Sequence, residues 1–190
     1  RLVVEEGGFL YDSDDYGEEL PFWVTVDGKA QLVVPYSVTN NDGQFGAAID
    51  MLGDVLRECP EELWEAQLWG ERPGYPAPAV FSKFWYVVYH TLFWTDFYLT
   101  GDEATFSPPS PFDRGELVDG QEPPRTYTRA ELKDYFDYCR NRAKGIIAAL
   151  TPDEASRVFR FTWGEMPYGE LQLDTIRHLM EHGAQLRMFL

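Results

Sequence analysis

Gly169-Glu170-Leu171-Gln172-Leu173-Asp174-Thr175-Ile176-Arg177-His178-Leu179-Met180-Glu181-His182-Gly183-Ala184-Gln185-Leu186-Arg187-Met188-Phe189 sets Leu171, Ile176, Leu179, Leu186 and Phe189 on one broad face. That recurrence predicts an amphipathic helix. Upstream, Phe45, Ile49, Leu52, Val55 and Leu56 keep the same three- and four-residue steps. Pro60-Glu61-Glu62-Leu63 then restarts a turn, with a proline and acids that suit a helix amino end. Phe81 to Leu99 is aromatic nearly all round, as in a helix enclosed by others. Thr128-Arg129-Ala130-Glu131 is a capping box, hydroxyl and carboxylate satisfying each other's free amides, and it opens a helix to Leu150. Thr151-Pro152-Asp153-Glu154 starts a short turn in the same way. The proline-rich, acidic stretch from Gly101 to Pro124 excludes a regular element and predicts a long loop over one end of the domain. Four helices with loops of unequal length predict a mainly α fold, an up-and-down four-helix bundle whose sites are built from inward side chains.

The pattern changes near residue 45. Pro21-Phe22-Trp23-Val24-Thr25-Val26 and Lys29-Ala30-Gln31-Leu32-Val33-Val34 flank Asp27-Gly28, a hairpin signal because both central turn positions need positive φ. Residues 1–45 hold nine acids and two bases and are too short and polar to bury a core alone. They read as a short N-terminal β-hairpin extension of a bundle domain over 46–190.

With 190 residues, the chain suits one domain or one domain with an appendage. Its 44% hydrophobic and 16% aromatic content supplies a core. Sixteen basic residues against 32 acidic ones, a net charge of −16, would repel phosphate, so nucleic acid and anionic membranes are poor partners. Apolar runs fall short of a bilayer span and the amino end lacks a signal-peptide pattern; a cytoplasmic protein is expected. The first residue is Arg1 and Leu190 closes an apolar run without a stop signal, so the chain reads as a piece or a processed product of a longer one. Cys59 and Cys139 stand apart, as reduced, partly buried thiols do.

The chemistry concentrates in the histidines. His178 and His182 lie four residues apart, so both imidazoles leave one helix face at a separation that lets them share a metal ion. His90, the third histidine of the chain, sits inside the aromatic helix, where an imidazole needs a polar partner. Three imidazoles leave an open coordination position, the mark of a catalytic site. Asp174, one turn before His178, and Gln185, near one turn after His182, are candidates to orient an imidazole or relay a proton. Asp174 reads equally well as a solvated carboxylate near the helix start. Glu181 faces away from the histidines, and Trp94 reads as core more than as substrate wall.

Tyr89-His90-Thr91-Leu92-Phe93-Trp94 and Ile176 to Leu186 resemble the DinB family, the DinB/YfiT-like metalloenzymes. The resemblance covers residues 46–190. It implies a bundle whose second helix supplies one histidine and whose fourth supplies two, matching His90, His178 and His182, around a divalent ion, zinc or nickel. Members with assigned activity include thiol-dependent transferases and isomerases. The resemblance thus implies a metal-dependent transferase or hydrolase that activates a low-molecular-weight thiol or water against a small-molecule substrate. An alternative is a non-catalytic bundle that binds a partner or forms a homodimer, with Trp64, Trp69 and Trp85 as contact surface.

The strip Gly7-Gly8-Phe9-Leu10-Tyr11-Asp12-Ser13-Asp14, Leu20-Pro21-Phe22-Trp23 and Leu32-Val33-Val34-Pro35-Tyr36 resembles a late stretch of the polysaccharide deacetylase family, near its allantoinase-like branch. That family's catalytic aspartate and metal-binding histidines lie upstream of this stretch, and the strip holds no histidine, so the hydrolase activity does not carry over. A deacetylase-like fragment left by a natural fusion, a gene-model artefact and an appended hairpin all fit.

Overall fold

The computed structural model describes residues 22–33, 42–70, 77–162 and 164–190, in two units, Arg1–Gly43 and Gln44–Leu190. In the first, β1 (Phe22–Val26) and β2 (Lys29–Val33) pair antiparallel, with Val26 opposite Lys29. Asp27 (φ 49°) and Gly28 (φ 77°) supply the two positive φ angles of the expected tight turn. Most of the deacetylase-like strip, including Gly7 to Asp14 and Val34 to Tyr36, lies outside the described residues.

The second unit is helical: α1 (Asp42–Glu58), the single turn α2 (Glu61–Trp64), α3 (Phe84–Thr100), α4 (Arg129–Ala148), α5 (Pro152–Ser156) and α6 (Tyr168–Arg187). The break between α1 and α2 falls at Pro60, as its missing amide dictates. Helix α3 is the axis of the core. Thirteen of its residues are buried, among them Phe84, Trp85, Tyr89, Leu92, Phe93 and Phe97, which explains its lack of a polar face. It ends at Gly101, whose φ of 62° is left-handed and whose N–H bonds back to Phe97 O. A side chain there would strike the Tyr168 ring. Helix α4 opens with the capping box, Thr128 accepting from Glu131 N–H and Glu131 from Thr128 N–H.

Cross-helix contacts give the directions. Tyr168 OH donates to Leu99 O and Gln172 Nε2 to Tyr98 O, while His178 meets His90, so α6 runs antiparallel to α3. Cys139 Sγ donates to Leu92 O and Arg142 pairs with Asp96, so α4 runs parallel to α3. Arg129 Nη1 donates to Leu56 O and Cys59 O, and Arg140 pairs with Asp50, which sets α1 antiparallel to α4. The expected bundle is present, with one refinement of its up-and-down order. The long 101–128 connection carries the chain back along the bundle before α4 starts, so the order is up, down, down, up.

One element had no counterpart in the sequence reading. β3 (Val158–Phe161) and β4 (Gly164–Pro167) form a second hairpin, and Phe159 and Phe161 pack on Phe97 at ring separations of 5.8 and 6.3 Å. Both cysteines are free and buried, and burial pushes the Cys139 thiol well above its ordinary range. Among the described residues no helix is long and apolar enough to cross a membrane.

Candidate metal centre

Helix α3 delivers His90 and α6 delivers His178 and His182 to one spot. One ligand atom of each lies within 4.8 Å of the others, and the ring centroids are 5.3, 5.2 and 4.6 Å apart. The antiparallel pairing of α3 with α6 brings this about, because it lays the middle of one helix on the middle of the other.

Two of the rings are oriented by acceptors. His90 Nδ1 lies 2.6 Å from Glu116 Oε1; a carboxylate only accepts, so Nδ1 donates and Nε2 is the nitrogen turned toward the other two histidines. His182 Nδ1 lies 2.9 Å from Gln185 Oε1, which frees Nε2 in the same way. His178 Nε2 faces His90 Nε2 at 3.4 Å, and its Nδ1 is buried without a hydrogen-bond partner. Burial first, then the neighbouring His90 and His182 imidazoles, hold His178 down to about 3. Burial also lowers His182, partly opposed by its bond to Gln185. Both rings are therefore neutral at pH 7, the form that ligates.

The donor set fits a divalent ion. Two nitrogens about 2.0–2.1 Å from a tetrahedral zinc stand about 3.3–3.4 Å apart, and His90 Nε2 and His178 Nε2 already have that spacing. Without an ion the two nitrogens can share one hydrogen bond, whose donor depends on the tautomer, and His178 Nδ1 is then left without a partner, as a buried polar atom seldom is.

Glu116, the strongest partner of the site, escaped the sequence reading. It sits in a 3-10 turn, Gly115–Leu117, inside the long loop, with its side chain 5% exposed. Tyr86 OH donates to both of its oxygens at 2.9 and 3.1 Å. Burial and this carboxylate together push the phenol far above its usual range. The signal was available: Tyr86 and His90 lie one turn apart on one face of an apolar helix, so both need an acceptor from elsewhere, and the acidic loop is the nearest source.

Asp174 does not reach the histidines. Its carboxylate accepts from Arg177 Nε at 2.9 Å, an exposed contact within one helix, so its reading as a surface carboxylate near the helix start is the one the structure favours. Glu181 pairs with Arg177 on the surface. Trp94 lines the cavity beside His90. The aromatic contact surface proposed for a binding module needs correction: Trp64 and Trp85 are 6% and 1% exposed, because α3 is enclosed on nearly all sides and Trp64 packs against Phe84. Of the three, Trp69 alone is exposed.

A family model described as DinB superfamily matches residues 44–186. The chain belongs to the DinB superfamily. No curated protein and no solved structure matches it. The DinB match spans His90, His178 and His182 and leaves residues 1–43 outside it.

Proposed function

We propose that this DinB-superfamily protein holds a divalent metal, zinc or nickel, on His90, His178 and His182, and uses it in transfer to, or hydrolysis of, a small molecule. The observation that carries the reading is the convergence of three imidazoles, with the 3.4 Å spacing of two facing Nε2 atoms. When bound, a three-histidine divalent ion leaves a position in which a water or low-molecular-weight thiol loses its proton near neutral pH.

The chain's own residues prepare that chemistry. Glu116 fixes the tautomer and ring plane of His90, as outer carboxylates do for ligating histidines. Tyr86 locks the Glu116 rotamer through two hydrogen bonds. Gln185 orients His182. Beside the histidines a cavity of about 460 Å³ lies within the range of small-molecule sites. The 116–121 segment of the loop forms one wall.

The test is the metal content of the untagged protein by elemental mass spectrometry, beside His178→Ala. Near one equivalent in the parent and little in the variant is expected. No metal in the parent, with no tight uptake of added zinc or nickel, overturns the reading.

A further inference from the structure

The lining of the cavity narrows the substrate class, an inference that rests on the reading above. Four aromatic rings face it: Trp69, Phe81, Tyr86 and Trp94. Phe81 and Tyr86 stack at 4.6 Å, and Trp94 stands 6.2 Å from His90. The charged residues among its described lining are Glu116 and Asp119, and no lysine or arginine joins them. The two acids differ in what they have left to offer. Glu116 is buried and engaged by His90 and Tyr86. Asp119 is exposed and has no ion pair to another described residue.

Depth sorts the lining into two ends. Tyr86, His90, His182 and Glu116 form the inner end, and the exposed Trp69, Val118 and Asp119 form the rim. An anionic ligand would find no lysine or arginine among the described lining. A cation would find what ammonium groups are recognised by, the faces of aromatic rings and an unpaired carboxylate. A charge at the exposed rim would leave the histidine end free for an ion, and a net charge of −16 draws cations toward the molecule and repels anions.

We infer that the cavity takes a small organic cation, an alkyl or quaternary ammonium compound, with its charge at the Trp69 and Asp119 rim and its uncharged end toward the histidines. An anionic thiol is then a poor co-substrate, and water or an uncharged thiol is the better fit.

The test uses three molecules of one shape and different charge: choline, its uncharged isostere 3,3-dimethylbutan-1-ol, and the anion 3,3-dimethylbutanoate. Each is titrated calorimetrically into the full chain, zinc-loaded and again after chelation. Choline is expected to bind about two- to fivefold more tightly than the alcohol, as a cation–π contact at an exposed site provides, and the anion, whose carboxylate lies at the end facing the histidines, not at all in the chelated protein. Asp119→Asn and Trp69→Ala are each expected to shrink the choline preference while metal content stays at the parent level. Equal affinity for choline and the alcohol, preference for the anion in the chelated protein, or binding of none of the three overturns the inference. Metal content is measured on the same samples. A protein without metal that still prefers choline would refute the metal reading and leave the cation site standing.

Discussion

Helix α3 carries two polar clusters within six residues of each other, and they are built to opposite rules. At Asp96 the carboxylate is fully buried, yet it pairs with Arg142, accepts from Tyr135 OH at 3.1 Å, and sees Arg142 bond Thr100 as well. Burial alone would raise Asp96 further than it does; Arg142 and Tyr135 pull it back. At His90 the three rings converge, with Nε2 of His178 3.4 Å from Nε2 of His90, His178 Nδ1 unpartnered, and a cavity alongside. A closed network ties α3 to α4 and leaves nothing for a ligand. An open one of the same side-chain polarity is costly for the apoprotein and useful only if something completes it.

The contrast can be broken from either side. Asp96→Ala strands the Arg142 guanidinium and is expected to lower stability by about 3–5 kcal/mol, read as a lower urea midpoint, with the folded fraction still taking up metal. His178→Ala should do the reverse. At a free zinc concentration a hundredfold above the dissociation constant, the parent gains about 2.7 kcal/mol of stability, and the variant is expected to gain almost none in the same thermal melts. Glu116→Ala should weaken zinc binding by about 10–100-fold, with Glu116→Gln recovering part of it, measured by competition with a chromogenic chelator. Unchanged affinity in both would reduce Glu116 to a loop anchor.

A further effect is in pH. The unfolded chain protonates His178 near its ordinary 6.5, whereas the folded protein resists until about 3. Between those values the unfolded state binds more protons, so the stability of the chelator-treated protein falls as pH drops through that window. His178→Gln should flatten that part of the profile in unfolding titrations.

The helices and the three histidines were legible because both signals are periodic. A 3.6-residue repeat marks α1 and α6, a capping box marks the start of α4, an apolar circumference marks α3, and a four-residue step marks the histidine pair. What was missed has no period. Strands of four residues, such as Val158–Phe161, are too short to show alternation, and they form because Phe159 and Phe161 find Phe97, a contact more than sixty positions distant in sequence. Glu116 is one acid among several in an irregular loop, distinguished only by where the loop comes to rest. Trp64 and Trp85 read as surface candidates by residue type, but all-round enclosure by the bundle decides their burial. Asp174 shows the limit of helical spacing: one turn from His178 gives the right side of the helix, while Arg177 three residues away captures the carboxylate.

The 88 residues that separate His90 from His178 bear on the order of events in folding. Closing so long a loop carries an entropic cost set by the docking of α3 on α6, and the third imidazole joins the pair on α6 only after that docking. If that docking follows the rate-limiting step, a divalent ion that needs all three rings has little to hold in the transition state. It would leave the refolding rate nearly unchanged and slow unfolding instead, so the ion would act as a kinetic lock on the finished bundle.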